Sequence, residues 1–214
     1  MSKTFPLRPL VLALCLVLAQ PAVAGIYDDI LAAANQDDTA QVIDLLKRGM
    51  DVNTTDPSGN TLLMIAARNG NADLLDFLIG NRSNLQKRNR YGDSAVMMAA
   101  FRGHLAIVRK LLDAGADIRN SGWNALHYSA YGGFTEIVRL LVERKADLDV
   151  AAPNGQTALM LAAATGKLDV VRILIDADAD MDLLDYEGQS AIMLAEKAGF
   201  ADVTEYLRES GAEE

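Results

Sequence analysis

The chain has 214 residues, a formal net charge of -9, 50% hydrophobic residues and 23% charged residues. These values are typical of a folded globular protein and exclude a disordered or collagen-like chain. The acidic balance argues against nucleic-acid binding as the main task, because that work requires Lys and Arg against phosphate. With one cysteine and two histidines, the sequence also argues against an internal disulfide and against clustered cysteine or histidine metal sites.

The first 24 residues have the three parts of a secretory signal peptide. Lys3 and Arg8 precede the apolar run Leu10 to Ala19, and small residues follow in Ala22-Val23-Ala24. This pattern predicts cleavage after Ala24. The apolar run is too short to span a bilayer comfortably, which disfavours a stable membrane anchor. We therefore expect residues 1–24 to be removed and the remaining chain to reach the periplasm of a Gram-negative bacterium.

Two alternatives stay open for this segment. It could persist as an uncleaved anchor, or Cys15 could carry a lipid. Leu14 disfavours the lipid, because it is bulky where a lipid-attachment box requires a small residue, and apolar sequence continues past the cysteine. Cleavage after Ala24 would leave a mature chain without cysteine, which needs no disulfide in any compartment.

The sequence after residue 25 repeats. Five segments each begin with a glycine, and these glycines are spaced by 33, 30, 33 and 33 residues. A second glycine follows each of them eleven residues later, with apolar residues at helical spacing beyond it. Such a period is typical of a repeat architecture. The leading glycines are Gly59, Gly92, Gly122, Gly155 and Gly188, and the second glycines are Gly70, Gly103, Gly133, Gly166 and Gly199.

Each unit is predicted to form a turn, a helix, a tight turn and a second helix. The first helix should begin at a residue whose side-chain oxygen can accept a hydrogen bond from an exposed helix N–H. Paired alanines inside that helix allow close helix approach, and the second glycine allows a positive φ between the helices. The predicted capping residues are Thr61, Ser94, Asn124, Thr157 and Ser190.

This arrangement resembles the ankyrin repeat. Ala-Asp at positions 116–117, 146–147 and 179–180 matches the end-of-repeat pattern of that family. The resemblance covers nearly all of residues 25–214 and implies an all-α solenoid of helix–turn–helix units with hairpin-like loops projecting from one edge. We expect one domain of about six repeats with a divergent first unit, and a polar last unit that favours a monomer. The predicted repeats lie near residues 25–55, 56–88, 89–119, 120–152, 153–185 and 186–214.

The sequence departs from the family pattern in three ways. Methionine stands at four of five family histidine positions, and only His127 remains. The connector from Asp117 to Gly122 is three residues short, which predicts a shortened hairpin in the middle of the array. The glycine expected after the second helix is replaced in three repeats, where a left-handed conformation would cost stability. The methionines are Met64, Met97, Met160 and Met193, and the replacements are Arg82, Lys145 and Asp178.

No pattern in the sequence predicts catalytic, cofactor or metal chemistry. Nucleophile motifs of the Gly-x-Ser-x-Gly type and phosphate-binding loops are absent. We expect His127 to bond back to Asn124 and His104 to have a structural role. The methionines are predicted to fill the core, although thioethers can also bind copper(I). The aspartates between Asp176 and Asp185 are predicted to be solvated, with weak calcium binding as the alternative.

The family resemblance implies protein binding through the projecting loops and the exposed face of the first helices. In repeats three and four these positions hold Trp, Tyr and Arg, which most often carry interface energy. Lys87, Arg88, Arg90 and Arg102 would also form a basic cluster that suits an acidic partner. The predicted protein-binding residues are Arg88, Arg90, Tyr91, Asp93, Phe101, Arg102, Arg119, Trp123 and Tyr131.

Some positions near this surface have other interpretations. Trp123 could simply cover the gap left by the short connector, since lone aromatics are common. Tyr128 is predicted to be a core residue, because it matches aliphatic positions in the other repeats. Asp185, Tyr186 and Glu187 form a second, weaker candidate surface.

These observations predict a non-catalytic periplasmic module that binds one client protein and stabilises or positions it. The resemblance extends to secreted bacterial ankyrin-type proteins, some linked to oxidative-stress defence, including catalases, although no residue here selects that client. The alternative function is an immunity protein that neutralises a toxin delivered to the periplasm. An enzyme or a metal-buffering protein is disfavoured by the lack of clustered histidine and cysteine.

Overall fold

The computed structural model describes residues 20–119 and 122–212, so residues 1–19 of the predicted signal peptide lie outside the described part. Within it the chain forms twelve α-helices in six consecutive pairs. None of these helices is long and apolar enough to cross a membrane. The helices are α1 (Gln20–Asn35), α2 (Thr39–Lys47), α3 (Leu62–Asn69), α4 (Ala72–Gly80), α5 (Ala95–Phe101), α6 (Leu105–Asp113), α7 (Ala125–Gly132), α8 (Thr135–Glu143), α9 (Ala158–Ala164), α10 (Leu168–Asp176), α11 (Ala191–Ala198) and α12 (Ala201–Glu209).

The first helices of successive pairs stack into one layer and the second helices into another. Helix α5 packs between α3 and α7, and α9 packs between α7 and α11. Their paired alanines, such as Ala99 and Ala100, are fully buried. The second helices bury one apolar face, as Ile107 and Leu111 do in α6. This is the solenoid that the sequence predicts, with one continuous core running through all repeats.

The first helices of repeats two to six begin at the predicted capping residues. Thr61 Oγ1 accepts a hydrogen bond from the Met64 N–H at 3.1 Å. Asn124 Oδ1 accepts bonds from the N–H groups of Leu126 and His127 at 2.9 and 3.1 Å. These side chains satisfy donors that a helix start leaves without an intrahelical partner. Equivalent caps occur at Ser94, Thr157 and Ser190.

Three of the methionines at family histidine positions complete these caps. The Thr61 N–H donates to Met64 Sδ at 3.4 Å, and the same bond recurs in Ser94–Met97 and Thr157–Met160. These three methionines are buried, as predicted. The core prediction is wrong for Met193, which is 36% exposed. It lies in α11, the first helix of the last pair within residues 122–212, and none of these residues forms a further helix pair over it.

The one retained histidine connects two repeats. His127 is buried, and its Nδ1 lies 2.8 Å from Asn124 Oδ1, as predicted. Its Nε2 lies 3.2 Å from the Gln156 carbonyl oxygen of the next repeat. Burial lowers the pKa of His127, although the backbone bond to Gln156 acts in the opposite direction. A charged ring is therefore disfavoured at this position.

Four connectors form hairpin-like turns along one edge. In one of them the Asn89 N–H donates to the Asp93 carbonyl at 3.0 Å, and the Gly92 N–H donates to the Asn89 carbonyl at 3.1 Å. Neighbouring turns are joined in two pairs, through Arg90 N–H to the Ser58 carbonyl and through Tyr186 N–H to the Asn154 carbonyl. The two pairs lie on either side of the shortened connector of repeat four. The turns span residues 56–60, 89–93, 152–156 and 185–189.

Residues other than glycine adopt a left-handed conformation after three of the second helices. Arg82, Lys145 and Asp178 have φ of 62°, 59° and 65° at the predicted positions. Gly115 occupies the same position in repeat three with φ of 92°. An L-residue is strained in this region because its Cβ approaches the backbone, whereas glycine is not.

We expect Arg82→Gly and Lys145→Gly to raise the free energy of unfolding by about 0.5–1 kcal/mol each. Relief of a left-handed penalty of about 1–2 kcal/mol is partly offset by the greater chain entropy of glycine. Urea denaturation measures the effect. The matched control is Gly115→Ala, which should lower the free energy of unfolding by about 1 kcal/mol because alanine is strained at this positive φ. The added Cβ meets nothing within 4 Å, so no steric clash contributes to this loss. Destabilisation by both glycine variants would contradict the argument.

Candidate protein-binding surface

The first helices of repeats two to four surround a pocket of about 340 Å³. It is open on one side and takes its residues from α3, α5, α7 and the hairpin that precedes α5. Three predicted binding residues, Asp93, Phe101 and Arg102, are brought together in it. The complete lining is Arg68, Asp93, Met97, Met98, Phe101, Arg102 and Tyr128.

Phe101, Trp123 and Tyr128 form an aromatic cluster. Phe101 and Tyr128 make one wall of the pocket, and Trp123 supports Tyr128. The Phe101 and Tyr128 rings meet edge to face, with centroids 5.4 Å apart and an interplanar angle of 72°. Trp123 stacks on Tyr128 at 5.3 Å and 29°. Such offset and edge arrangements are the favourable geometries for aromatic pairs. The cluster therefore presents Phe101 and Tyr128 to the pocket on a fixed support.

The prediction that Tyr128 is a core residue is wrong. Ile65 and Leu161 fill the equivalent positions and are buried, whereas Tyr128 is half-buried and lines the pocket. A tyrosine ring is longer than these aliphatic side chains, so its hydroxyl reaches the surface. There it donates a hydrogen bond to Asp93 Oδ1 at 2.9 Å.

Desolvation and Asp93 both keep the Tyr128 hydroxyl protonated. Burial is the larger cause, and together with the hydrogen bond to Asp93 and its charge it raises the pKa of Tyr128 to about 12. A phenol with this pKa remains a neutral donor at physiological pH. The bond fixes the Asp93 carboxylate against the pocket wall.

Trp123 supports the surface from behind. It is half-buried, packs against the core and lies 5.6 Å from the His127 ring. This position agrees with the alternative interpretation of Trp123 as a packing residue next to the short connector. Its contribution to binding passes through Tyr128, on which it stacks.

Three exposed aromatic rings lie on the helices and the hairpin that supply the pocket residues. Phe101 and Tyr131 are each 51% exposed and occupy equivalent positions near the ends of α5 and α7. Tyr91 is 78% exposed on the hairpin of repeat three. Single exposed rings occur on many protein surfaces, and aromatic residues are enriched at protein interfaces. All three belong to the predicted binding residues.

The predicted basic cluster is divided between the pocket and the hairpin. Arg102 lines the pocket with Arg68, which sequence reasoning missed. Arg68 occupies the position in repeat two that Phe101 occupies in repeat three. Alignment of the repeats could therefore have predicted Arg68 as a pocket residue. Arg88 folds back on its own hairpin, where Nη1 donates to the Gly92 carbonyl at 2.9 Å. Arg90 is exposed on that hairpin, and Lys87 is half-buried beside it.

Arg119 lies apart from the pocket. Its Nε lies 3.2 Å from Asp117 Oδ1. Both residues line a separate cleft, with Leu112 and Arg144, at the ends of the second helices. Hydrogen bonds from the Arg119 backbone and side chain hold the pKa of Asp117 below its usual value of 3.8. Arg119 is therefore exposed in a cleft apart from the aromatic rings, and its role in protein binding stays a prediction.

Of the second predicted surface, Asp185, Tyr186 and Glu187, only Tyr186 and Glu187 are exposed. Asp185 is only 7% exposed, and its Oδ1 accepts N–H bonds from Glu187 and Gln189 at 2.9 Å each. Its carboxylate closes its own turn, so the prediction of Asp185 as a contact residue is wrong. Tyr186 is exposed on the tip of that turn, beside the exposed Glu187.

The histidine at the start of α6 connects two repeats and lines no reactive site. His104 Nε2 lies 3.1 Å from the Arg68 carbonyl oxygen of the preceding repeat. A Cβ added to Gly70 would lie 2.9 Å from this ring, so the close approach requires glycine there. Across residues 20–119 and 122–212, no group of three or more His, Cys, Asp or Glu side chains is arranged to hold a metal ion.

Comparison with protein families agrees with this architecture. A family model described as ankyrin repeats in three copies matches residues 30–121, 63–152, 115–185 and 144–214. The chain belongs to the ankyrin-repeat family. This family is generally a non-catalytic fold for protein–protein interaction. The described helix pairs and the predicted fold class are those of an ankyrin-repeat solenoid.

Curated relatives share the repeat region. The Notch-regulated ankyrin repeat-containing protein of Xenopus laevis is 36% identical over 95 residues, which are 41% of this chain and 83% of that protein. Ankyrin repeat and KH domain-containing protein 1 of Homo sapiens is 35% identical over 103 residues, 46% of this chain and 4% of that protein. Protein fem-1 homolog A-like of Mus musculus is 35% identical over 109 residues, 49% of this chain and 17% of that protein.

We expect Tyr128→Phe to lower the free energy of unfolding by about 1 kcal/mol at neutral pH through loss of the bond to Asp93. Above pH 10 the unfolded Tyr128 loses its proton while the folded one keeps it, so this contribution falls as pH rises from about 10 to 12. The urea midpoints of parent and variant should differ at pH 8 and lie close together at about pH 11. The control is Tyr186→Phe, which removes an exposed hydroxyl, and a constant gap would contradict the assignment.

Proposed function

We propose that the chain is a non-catalytic protein–protein interaction module. It holds a client protein on the surface formed by Tyr91, Phe101 and Tyr131 around the pocket of repeats two to four. The observation that carries this proposal is the exposure of these three rings, of which Phe101 packs on Tyr128, which in turn stacks on Trp123. Rigid aromatic side chains lose little conformational entropy on binding and supply large contact areas.

The chemistry of the pocket supports binding over catalysis. Its carboxylate, Asp93, accepts the Tyr128 hydroxyl, whose pKa is too high for it to act as a base near neutral pH. The other lining groups are thioethers, an aromatic ring and two guanidinium groups. Guanidinium groups stay charged and donate hydrogen bonds without transferring protons. This set can position a partner, and its one hydroxyl, that of Tyr128, is held as a neutral donor to Asp93.

The place of action that we propose is the periplasm, reached through the signal peptide of residues 1–24. The support is the arrangement of Lys3, Arg8, the apolar run and Ala24 in the sequence. We further propose a client that works in oxidative-stress defence, which rests on the resemblance to secreted bacterial ankyrin-type proteins. A captured toxin would instead identify the chain as an immunity protein.

Affinity capture tests the client-binding surface. The full chain, exported with its own leader and carrying a C-terminal tag, should retain a client from periplasmic extract. The Phe101→Ser/Tyr131→Ser double variant should reduce capture at least about tenfold, because exposed aromatic anchors carry much of the binding energy. Mass spectrometry of the retained proteins is the measurement.

The control variant is Leu184→Ser, which removes an exposed apolar side chain on a different connector. It should retain the client at the parent level. Circular dichroism of all three proteins should show the same helix content. Equal capture by the parent and the double variant would refute the proposed surface.

Processing of the leader tests the proposed location. The exported protein should have Gly25 as its first residue, since small residues before this bond suit signal peptidase. Intact-mass measurement of periplasmic protein checks this. An Ala22→Leu/Ala24→Leu variant should remain unprocessed, and an Ala13→Leu variant, altered inside the apolar run, serves as the control. An intact mass that retains residues 1–24 in the parent would contradict the proposal.

A further inference from the structure

The pocket of repeats two to four combines an apolar interior with a positive rim. The thioether of Met98 and the rings of Phe101 and Tyr128 line its interior, above the buried Met97. Methionine adapts to irregular shapes and makes favourable contacts with aromatic rings. The volume of about 340 Å³ lies at the lower end of ligand pockets, which range from about 300 to 1,000 Å³. The space therefore suits one large side chain.

The rim carries more positive than negative charge. Arg68 and Arg102 contribute two guanidinium groups, and Asp93 contributes one carboxylate. Arg68 bonds the amide oxygens of Asn35 at 2.7 Å and Asn69 at 3.4 Å, which are neutral partners. Among the residues that the structure describes, no carboxylate lies within ion-pair distance of either arginine. Both positive charges are therefore available to a ligand.

The single carboxylate on the rim is already engaged. Asp93 accepts the Tyr128 hydroxyl at 2.9 Å and lies 3.5 Å from the Asn89 amide nitrogen. The hairpin that carries Asp93 also presents Arg90, which is exposed. The positive surface thus continues from the pocket along the hairpin edge, in a chain whose net charge is -9.

We propose that the pocket binds an acidic segment of a partner protein, with one aromatic or long aliphatic side chain packed against the wall that Phe101 and Tyr128 form. The carboxylates that flank this anchor pair with Arg68 and Arg102. This inference rests on the proposed function and specifies the chemistry of the client. The apolar interior selects the anchor, and the rim charge selects the flanking residues and rejects basic ones.

The test uses defined peptides and methyl NMR of the full chain labelled with ¹³C-methyl methionine. The probe is the peptide Gly-Asp-Glu-Phe-Asp-Glu-Gly. Its addition should shift the Met98 methyl signal, which lies in the pocket, and leave the Met160 signal of the buried core unchanged. Signals are assigned with Met98→Leu and Met160→Leu. Titration up to millimolar peptide gives the dissociation constant even for weak binding.

Two peptide controls separate the anchor from the charge. Replacing Phe with Ser in the peptide should weaken binding at least about tenfold, because the anchor fills the apolar pocket. Replacing the acidic residues with Lys should also weaken it at least about tenfold, through repulsion from the rim. Raising the salt concentration should weaken binding of the acidic peptide, since salt screens the attraction between exposed charges.

Matched protein variants assign the rim charges. Arg68→Gln and Arg102→Gln should each weaken binding of the acidic peptide about fivefold, because each removes one positive charge at the rim. Arg109→Gln makes the same charge change at an exposed position on α6, in the second-helix layer, and should stay within about twofold of the parent. Equal effects of all three variants would overturn the assignment to the pocket.

The outcomes distinguish this inference from the proposed function. If the acidic peptide fails to shift Met98, or the lysine peptide binds equally well, the acidic-anchor proposal is wrong. Client capture that still depends on Phe101 and Tyr131 would then leave the surface assigned and only its chemistry overturned. Capture that does not depend on them would refute the proposed function, whatever the peptides do.

Discussion

Close packing of the first helices is the interaction on which the rest of the structure depends. No single helix pair can bury its apolar faces, so each repeat is stable only against its neighbours. Buried alanines such as Ala99 and Ala100 let α3, α5 and α7 stack side by side. Side chains near the ends of these helices consequently form a row across successive repeats, occupied by Arg68, Phe101 and Tyr131. The binding surface is therefore a consequence of the packing that holds the solenoid together.

Two departures from regularity convert this row into a pocket. A tyrosine at position 128 is too long for a site that isoleucine or leucine fills elsewhere, so its hydroxyl reaches Asp93 of the preceding repeat. The connector before it is three residues shorter than the others, and Trp123, just beyond the connector, stacks on the tyrosine. Natural repeats that break a local rule commonly do so at functional positions. The irregular side chains here lie next to the exposed Phe101 ring and the two arginines of the pocket.

The sequence predicted the features that depend on local chemistry. The caps at Thr61 and Asn124 follow from side-chain oxygens placed before short apolar runs, and the left-handed turns follow from the repeat period. It did not predict Tyr128 at the surface or Arg68 in the pocket, because both depend on contacts with other repeats. The Tyr128 bond to Asp93 joins residues 35 positions apart. The exposure of Met193 likewise follows from its place at the end of the array, which its local sequence does not distinguish from a core site.

The retained histidine links repeat four to the repeat that follows it. Elsewhere, hairpins join directly, as Arg90 does to the Ser58 carbonyl at 3.0 Å. In repeat four, whose connector the sequence shortens by three residues, His127 reaches the Gln156 carbonyl of repeat five at 3.2 Å. The buried methionines at the other family positions place their sulfur on the capping N–H of their own helix. The buried imidazole thus joins repeats four and five directly, next to Trp123 of the aromatic cluster.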